Sequence, residues 1–129
     1  MELVAHVKEV NSVPVIGLSG EMDVRTAGRL WDPVLLLLNK GADKIVINLD
    51  NVQYVDSSGL GTMVGVLKRM TEQNCKLCVV SSNPLINKVL EITGLGSIFN
   101  IKANDTDAIS CFDTITFPSW EAGTAASGR

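Results

Sequence analysis

The sequence has no long apolar run, so it predicts no transmembrane helix. A membrane-spanning helix needs about 20 consecutive apolar residues, whereas the leucine run at residues 35–38 is far too short. Residues 1–6 lack a basic start followed by a long apolar segment, and we therefore expect no secretory signal. The chain also has no basic run, and its net charge is −3. We expect neither nucleic acid nor a membrane as a partner.

Cysteine and histidine are scarce, which argues against a disulfide framework and against a metal centre. The chain has three cysteines, an odd number that suits a reducing cytoplasm. Cys75 and Cys78 form a lone Cys-x-x-Cys pair, but residues i and i+3 of a strand point to opposite faces. We interpret them as ordinary sheet residues, Cys111 as a core residue, and His6 as a surface or hydrogen-bonded strand residue. No metal and no cofactor is expected.

The composition predicts one globular domain. Hydrophobic residues make up 46% and charged residues 19% of the 129-residue chain, which is typical of a folded protein rather than a disordered one. We place the domain at residues 1–117. Residues 118–129 are small and polar apart from Trp120, and we expect them to form a flexible C-terminal tail.

Strand and helix signals alternate along the chain in the order ββαβαβαβα. An Asn11-Ser12 turn predicts a hairpin between the first two strands, and Gly20 to Asp23 should end the second. Alternation after the hairpin predicts a largely parallel sheet with right-handed crossovers. The predicted strands are residues 3–8, 13–19, 44–49, 76–81 and 98–102, and the predicted helices are residues 24–39, 57–73, 84–93 and 105–112.

The first predicted helix contains a conflict at Asp32-Pro33. Proline inside a helix removes a hydrogen bond and clashes with the preceding turn, but Asp-Pro is also a good start for a new helix. Either one helix is kinked near Trp31, or a short helix ends and a second begins at Pro33. We favour the kinked helix, and we expect Gly41 to end it.

The stretch from Tyr54 to Gly61 joins an apolar strand to a helix and contains an acid, two serines and two glycines. Asp56, Ser57 and Ser58 are residue types that cap a helix N-terminus. That terminus carries unpaired N–H groups and the positive end of the helix dipole, so it also tolerates an anion. The two serines are therefore either phosphate acceptors or simple caps, and chemistry alone leaves both interpretations open.

The helix after this stretch has an apolar stripe and a smooth opposite side. Residues 60, 63, 64, 67 and 70 share one face, which should pack on the sheet. The other side contains Gly61, Thr62, Gly65 and Arg69. Glycine in a helix costs about 0.8–1.0 kcal/mol relative to alanine, so two glycines four residues apart suggest a close neighbour. That neighbour is either another helix of this chain or a partner protein.

Two catalytic interpretations of the same stretch fail on sequence grounds. A serine hydrolase would need Gly-x-Ser-x-Gly around the nucleophile, and that motif is absent. Gly59-Leu60-Gly61 is too short for a phosphate-binding loop and lacks the Gly-Lys-Ser/Thr that would follow. We therefore predict that the protein is not an enzyme.

Two separated motifs resemble those of a known family. Residues 20–27, Gly-Glu-Met-Asp-Val-Arg-Thr-Ala, resemble the GELDxxTA element of STAS domains, and residues 45–61 resemble their central strand and DSSGLG motif. The similarity covers about residues 3–112 and is greatest to the bacterial anti-sigma factor antagonists. It implies the STAS-type ββαβαβαβα fold, a mostly parallel mixed sheet with helices packed on it.

The resemblance implies a phosphorylation switch at Ser57. In that family the unmodified protein binds an anti-sigma factor, itself a serine kinase, and releases the sigma factor, whereas the phosphorylated protein does not bind until a PPM-type phosphatase restores it. An alternative within the family is a non-catalytic interaction subunit of a transporter or of a stress-signalling complex. The implied surroundings of the phosphorylation site are Asp23, Asp56, Ser58 and Gly59, and the implied partner-binding helix carries Gly61, Thr62, Gly65 and Arg69.

Overall fold

The computed structural model describes residues 2–113, which form five strands and five α-helices. Residues 1 and 114–129, including the predicted tail and Trp120, lie outside the described part. The strands are β1 (Leu3–Val10), β2 (Val13–Met22), β3 (Lys44–Val55), β4 (Lys76–Val80) and β5 (Ile101–Lys102). A 3-10 helix (Ala27–Leu30) precedes α1 (Trp31–Asn39), and the other helices are α2 (Ser57–Glu72), α3 (Pro84–Thr93), α4 (Gly96–Phe99) and α5 (Asp105–Cys111).

The five strands form one mixed sheet in the order in which they occur in the sequence. β1 and β2 are antiparallel, and the remaining neighbours are parallel. Asn11 and Ser12 connect β1 to β2 with φ angles of 52° and 68°, as a two-residue hairpin turn requires. The predicted hairpin and the predicted mostly parallel sheet are therefore confirmed.

Helices cover both faces of the sheet, but unequally. Alternate residues of a strand point to opposite faces, so Ile45 and Ile47 of β3 join one apolar cluster and Val46 joins the other. The first face carries the larger cluster, beneath residues of the 3-10 helix and of α1 to α4. The second face carries a smaller cluster, which includes Ala108, Cys111 and Phe112 at α5. None of the described helices is long enough and apolar enough to cross a bilayer.

The second and third strands are longer than predicted. β2 continues to Met22 and β3 continues to Val55, because these two residues pair with each other in the sheet. Gly20 does not end β2; it lies within the strand at φ +114°, where a Cβ would collide with the Glu2 carbonyl. Pairing between strands thus overrode the local turn signal at Gly20 and extended β3 beyond Leu49.

At the proline conflict a short 3-10 helix ends at Leu30 and α1 begins at Trp31, two residues before the start at Pro33 that the second alternative predicted. The 3-10 helix passes directly into α1 at Trp31, so Pro33 lies in the first turn of α1. The N–H groups of a first turn have no intrahelical partner, and a proline there removes nothing. Gly41 ends the helix as predicted, at φ +87°, and its N–H donates to the Leu38 carbonyl at 3.0 Å.

The C-terminal part of the fold departs from prediction in three places. Residues 96–99 form the unpredicted α4, with Phe99 fully buried, so the last strand keeps only Ile101–Lys102. The last helix, α5, begins at Asp105 as predicted, and the Asn104 side chain caps it by accepting the Asp107 N–H. The expectation of three unpaired cysteines is also wrong, since a disulfide joins Cys78 of β4 to Cys111 of α5.

Candidate functional site

The carboxyl ends of β2 and β3 bring the two motifs together. Met22 and Val55 are register partners at the last positions of these strands. The Asp56 N–H donates to the Met22 carbonyl at 3.1 Å, so the pairing extends to the residue that precedes α2. Asp23 therefore directly follows the end of β2, and Asp56 directly follows the paired end of β3.

Asp56 is the N-cap of α2. Its carboxylate Oδ1 accepts the N–H groups of Ser58 at 2.8 Å and of Gly59 at 3.1 Å. Two of the unpaired donors of the helix terminus are therefore occupied by a carboxylate of the chain itself. Asp56 therefore caps the helix, and neither the Ser57 hydroxyl nor the Ser58 hydroxyl is needed for capping.

The two serines differ in accessibility. Ser57 is the first residue of α2 and is exposed, whereas Ser58 is only half-exposed. Among residues 2–113 the Ser57 hydroxyl has no hydrogen-bond partner. Ser57 is therefore the more accessible of the two serines.

Gly59 allows α2 to begin in contact with the sheet. A Cβ on Gly59 would lie 2.8 Å from the Met22 carbonyl oxygen, 2.9 Å from the Met22 Cβ and 3.0 Å from a Val55 methyl. Real Cβ atoms do not approach a backbone oxygen that closely, so only glycine fits here. The residue after the two serines is therefore set by packing against the strand ends.

Asp23 organises the turn that follows β2. Its Oδ1 accepts the Arg25 N–H at 2.9 Å, the Thr26 N–H at 3.1 Å and the Thr26 hydroxyl at 3.1 Å. The buried Thr26 hydroxyl also reaches the Glu21 carbonyl. The hydrogen bond from the Arg25 backbone N–H is the main cause that holds the pKa of the Asp23 carboxyl below its ordinary value. Partial desolvation raises this pKa, whereas the hydrogen bonds from Thr26 and the positive charge of Arg25 lower it further. Asp23 is therefore a carboxylate at neutral pH, close to the cap of α2.

The face of α2 that packs on the sheet is shifted slightly from the predicted one. Met63, Leu67 and Met70 are buried as predicted, but Val66 is buried too, whereas Leu60 and Val64 are half-buried. Gly59 is also buried, on the same side of the helix as Met63 and Val66.

The predicted partner-binding residues of α2 lie in different surroundings. A Cβ on Gly61 would meet nothing within 4 Å, whereas one on Gly65 would lie 3.3 Å from the Trp31 ring of α1. The intramolecular explanation thus accounts for Gly65 and not for Gly61. Thr62 is half-exposed, and the exposed Arg69 donates from Nε to Gln73 Oε1 at 3.1 Å.

Sequence reasoning missed three exposed apolar side chains around this end of the sheet. Val24, Tyr54 and Leu85 are 77%, 49% and 73% exposed. Val24 follows Asp23, and Tyr54 precedes Asp56 by two residues. The start of α3, with Leu85, is held to β3 by a hydrogen bond from the Asn83 side chain to the Val52 carbonyl. Their only sequence signal was an apolar residue at the end of an element, which is too common to be informative.

The structure does not support the serine hydrolase hypothesis. His6 is on β1 opposite Gly17 and beside Ser19 and Asn51, on the second face of the sheet, whereas α2 and Ser57 belong to the first. Within residues 2–113, no three His, Cys, Asp or Glu side chains converge as metal ligands would.

Comparison with known proteins relates this geometry to one family. The STAS domain model matches residues 5–108. The anti-sigma-B factor antagonist of Staphylococcus aureus (strain NCTC 8325 / PS 47) is 34% identical over 86 residues, which are 67% of this chain and 80% of that protein.

Two solved structures share the fold. An anti-sigma factor antagonist from Mycobacterium paratuberculosis matches with a TM-score of 0.76 and 24% identity, over 84% of this chain and 92% of that one. The Bacillus cell fate determinant SpoIIAA in its phosphorylated form matches with a TM-score of 0.64 and 23% identity, over 84% of this chain and 99% of that one.

Proposed function

This chain belongs to the STAS domain family, and from that premise we propose that it is a cytoplasmic anti-sigma factor antagonist switched by phosphorylation of Ser57. The unmodified protein binds an anti-sigma factor that is also a serine kinase, and the sigma factor is released. Phosphorylation of Ser57 by that kinase abolishes binding, and a PPM-type serine phosphatase restores it. The chain itself is the substrate and ligand of these enzymes and catalyses nothing.

The observation that carries the proposal is the exposed Ser57 hydroxyl at the first position of α2. A kinase must reach the hydroxyl that it modifies, and Ser57 is reachable without unfolding the cap. Asp56 continues to hold the N–H groups of Ser58 and Gly59. A phosphate on Ser57 therefore projects from an intact helix terminus.

The charge around Ser57 supplies the switch. A phosphoserine adds a charge of about −1.5 to −2 at neutral pH. Here it is added beside the Asp56 carboxylate, which already occupies two donors of the helix terminus, and close to the strand end that bears Asp23. The phosphate thus gains little from the helix and is opposed by two carboxylates, so it depends on water for its stabilisation.

The exposed apolar side chains at this end of the sheet supply a reason for a partner to reject the phosphate. A partner that covers Val24, Tyr54 and Leu85, together with Ser57 at the same end of the sheet, removes water from the serine. Desolvation of a dianionic phosphate beside carboxylates opposes binding, and a loss of about 2–3 kcal/mol would weaken the complex about 30- to 150-fold. On α2 the binding surface continues through Gly61 and Thr62 towards Arg69, with Gly65 at its border because Trp31 lies against it.

The first experiment identifies the modified residue. The full chain is incubated with a purified anti-sigma serine kinase and ATP, and the phosphorylated residue is mapped by mass spectrometry. We expect one phosphate on Ser57, none in the Ser57→Ala variant and normal modification of Ser58→Ala. Modification that persists in Ser57→Ala contradicts the site.

The second experiment tests the switch itself. Binding of the same kinase is measured by calorimetry for wild type, Ser57→Asp and the matched control Ser58→Asp, with circular dichroism as the check on folding. We expect Ser57→Asp to bind at least about 30-fold more weakly, and treatment of the phosphorylated wild type with a PPM-type phosphatase to restore its affinity. Equal Kd values for wild type and Ser57→Asp refute the switch.

A further inference from the structure

A cysteine pair links α5 to the second face of the sheet, away from Ser57. Cys78 lies in β4 and is 0% exposed, and Cys111 is the last residue of α5 and is 7% exposed. The two sulfurs are bonded across a sequence separation of 33 residues. The enclosed segment contains α3, α4 and β5, so the bond ties the last helix back to the middle of the sheet.

Other contacts also hold α5 in place. Ala108 and Phe112 are buried in the second-face cluster. Asp105, the first residue of the helix, accepts a hydrogen bond from the Asn48 side chain at 2.8 Å and pairs with Lys8 at 3.3 Å. At the other end the Lys76 ammonium donates to the Phe112 carbonyl at 3.3 Å. None of these contacts uses either sulfur, so they do not depend on the disulfide.

α5 has only seven residues. A helix of that length is not stable without its tertiary contacts. Because α5 is short and the cluster beneath it is the smaller of the two, it should open more readily than the 16-residue α2 of the first face. A covalent bond at Cys111 would suppress that opening.

We propose that Cys78 and Cys111 form a reversible redox pair that controls how tightly α5 is held on the sheet. With a small-molecule disulfide as oxidant, one cysteine thiolate attacks the disulfide and releases one small thiolate. The second cysteine then attacks the mixed disulfide and releases the other small thiolate. The two protein thiols lose two electrons and become one disulfide, the small disulfide gains two electrons and becomes two thiols, and a dithiol reductant reverses the process.

The arrangement allows only one pairing. Cys75, the third cysteine, belongs to the first-face cluster, on the opposite side of the sheet from Cys78. Burial, and to a lesser degree the Asp43 charge, raises the pKa of the Cys75 thiol to about 12, so it is not a thiolate available for exchange near neutral pH. Because both partners of the pair are buried, oxidation requires α5 to open first.

The pair acts independently of the proposed phosphorylation switch. α2 packs on the first face, and α5 packs on the second. The redox state should change the opening of α5 and the stability of the domain, while the surroundings of Ser57 stay as they are. Failure of one proposal therefore leaves the other unaffected.

The test uses the full chain in oxidising and reducing glutathione buffers. After each equilibration the protein is denatured in acid and alkylated. Its intact mass is then measured by mass spectrometry, and the alkylated cysteines are located by peptide mapping. We expect three alkylated cysteines in the reduced form and one, Cys75, in the oxidised form, with the oxidised Tm about 10 °C higher. Amide exchange of α5 should slow at least about tenfold on oxidation.

Variants separate the pair from other effects. Cys75→Ala should keep the redox-dependent change in Tm, and Cys111→Ala should lose it. If Cys111→Ala does not fold, the comparison of oxidised and reduced wild type still decides. A disulfide that includes Cys75, three free thiols in the oxidising buffer, or equal α5 exchange rates in the two states would overturn the proposal.

Discussion

Gly59 offers the most direct test of how α2 is attached to the sheet. Replacing it with alanine adds a methyl group that would lie 2.8 Å from the Met22 carbonyl oxygen and 3.0 Å from a Val55 methyl. The Met22 carbonyl cannot move freely, because it also accepts the Asp56 N–H at 3.1 Å. The methyl therefore displaces either the first turn of α2 or the paired ends of β2 and β3.

The expected magnitude follows from two opposing effects. Overpacking of a tight contact costs about 1–3 kcal/mol, and alanine regains at most about 1 kcal/mol of helix propensity. Gly59→Ala should therefore lower the free energy of unfolding by about 1–2 kcal/mol. The same substitution at Gly61, where a Cβ meets nothing within 4 Å, should raise it by up to about 1 kcal/mol.

Gly65 provides an intermediate case on the same helix. Its added methyl would lie 3.3 Å from the outer edge of the Trp31 ring, and a side chain can shift by a few tenths of an ångström where a backbone carbonyl cannot. Gly65→Ala should thus change stability by less than about 0.5 kcal/mol. The three variants are then ranked by the neighbour that the methyl meets and not by helix propensity.

Urea denaturation followed by circular dichroism measures the three free energies of unfolding. Because all three substitutions are glycine to alanine, composition and charge are matched, and the m value checks that the denatured state is unchanged. If Gly59→Ala is as stable as Gly61→Ala, then α2 does not depend on close contact at Gly59, and the structural explanation of that glycine is wrong.

Two further predictions concern the acids beside Ser57. Asp56→Ala removes the carboxylate that accepts the Ser58 and Gly59 N–H groups, and it should lower the free energy of unfolding, measured by urea denaturation, by about 1 kcal/mol. Asp56→Ser should restore part of that free energy. An unchanged free energy of unfolding in Asp56→Ala would rule out the capping role. The pKa of the Asp23 carboxyl in the folded protein is below its ordinary value of 3.8. The ionised carboxylate therefore stabilises the fold above pH 3.8, and this contribution disappears as the pH falls through the folded-state pKa. The Tm difference between wild type and Asp23→Asn should therefore narrow from about pH 5 to about pH 2, and a constant difference would contradict this assignment.

Local signals in the sequence determined the order of the elements and several of their ends. The Asn11-Ser12 turn, the helix end at Gly41 and the bounds of α3 were each predicted correctly, because turn and capping geometry depends on the neighbouring few residues. The two motifs around Asp23 and Asp56 were also located from sequence. Their residue types identify a helix start and a family.

Tertiary structure decided what local chemistry left open. β2 and β3 lengthened because their ends pair with each other, and that pairing is also what brings Asp23 beside the cap of α2. The tertiary structure exposes Ser57 more than Ser58. It also places neighbouring atoms where a Cβ on Gly59 or Gly65 would lie, and leaves open space at Gly61. The position of α5 on the second face joined Cys78 to Cys111 across 33 residues. Each of these depends on contacts between residues distant in sequence, which no local pattern contains.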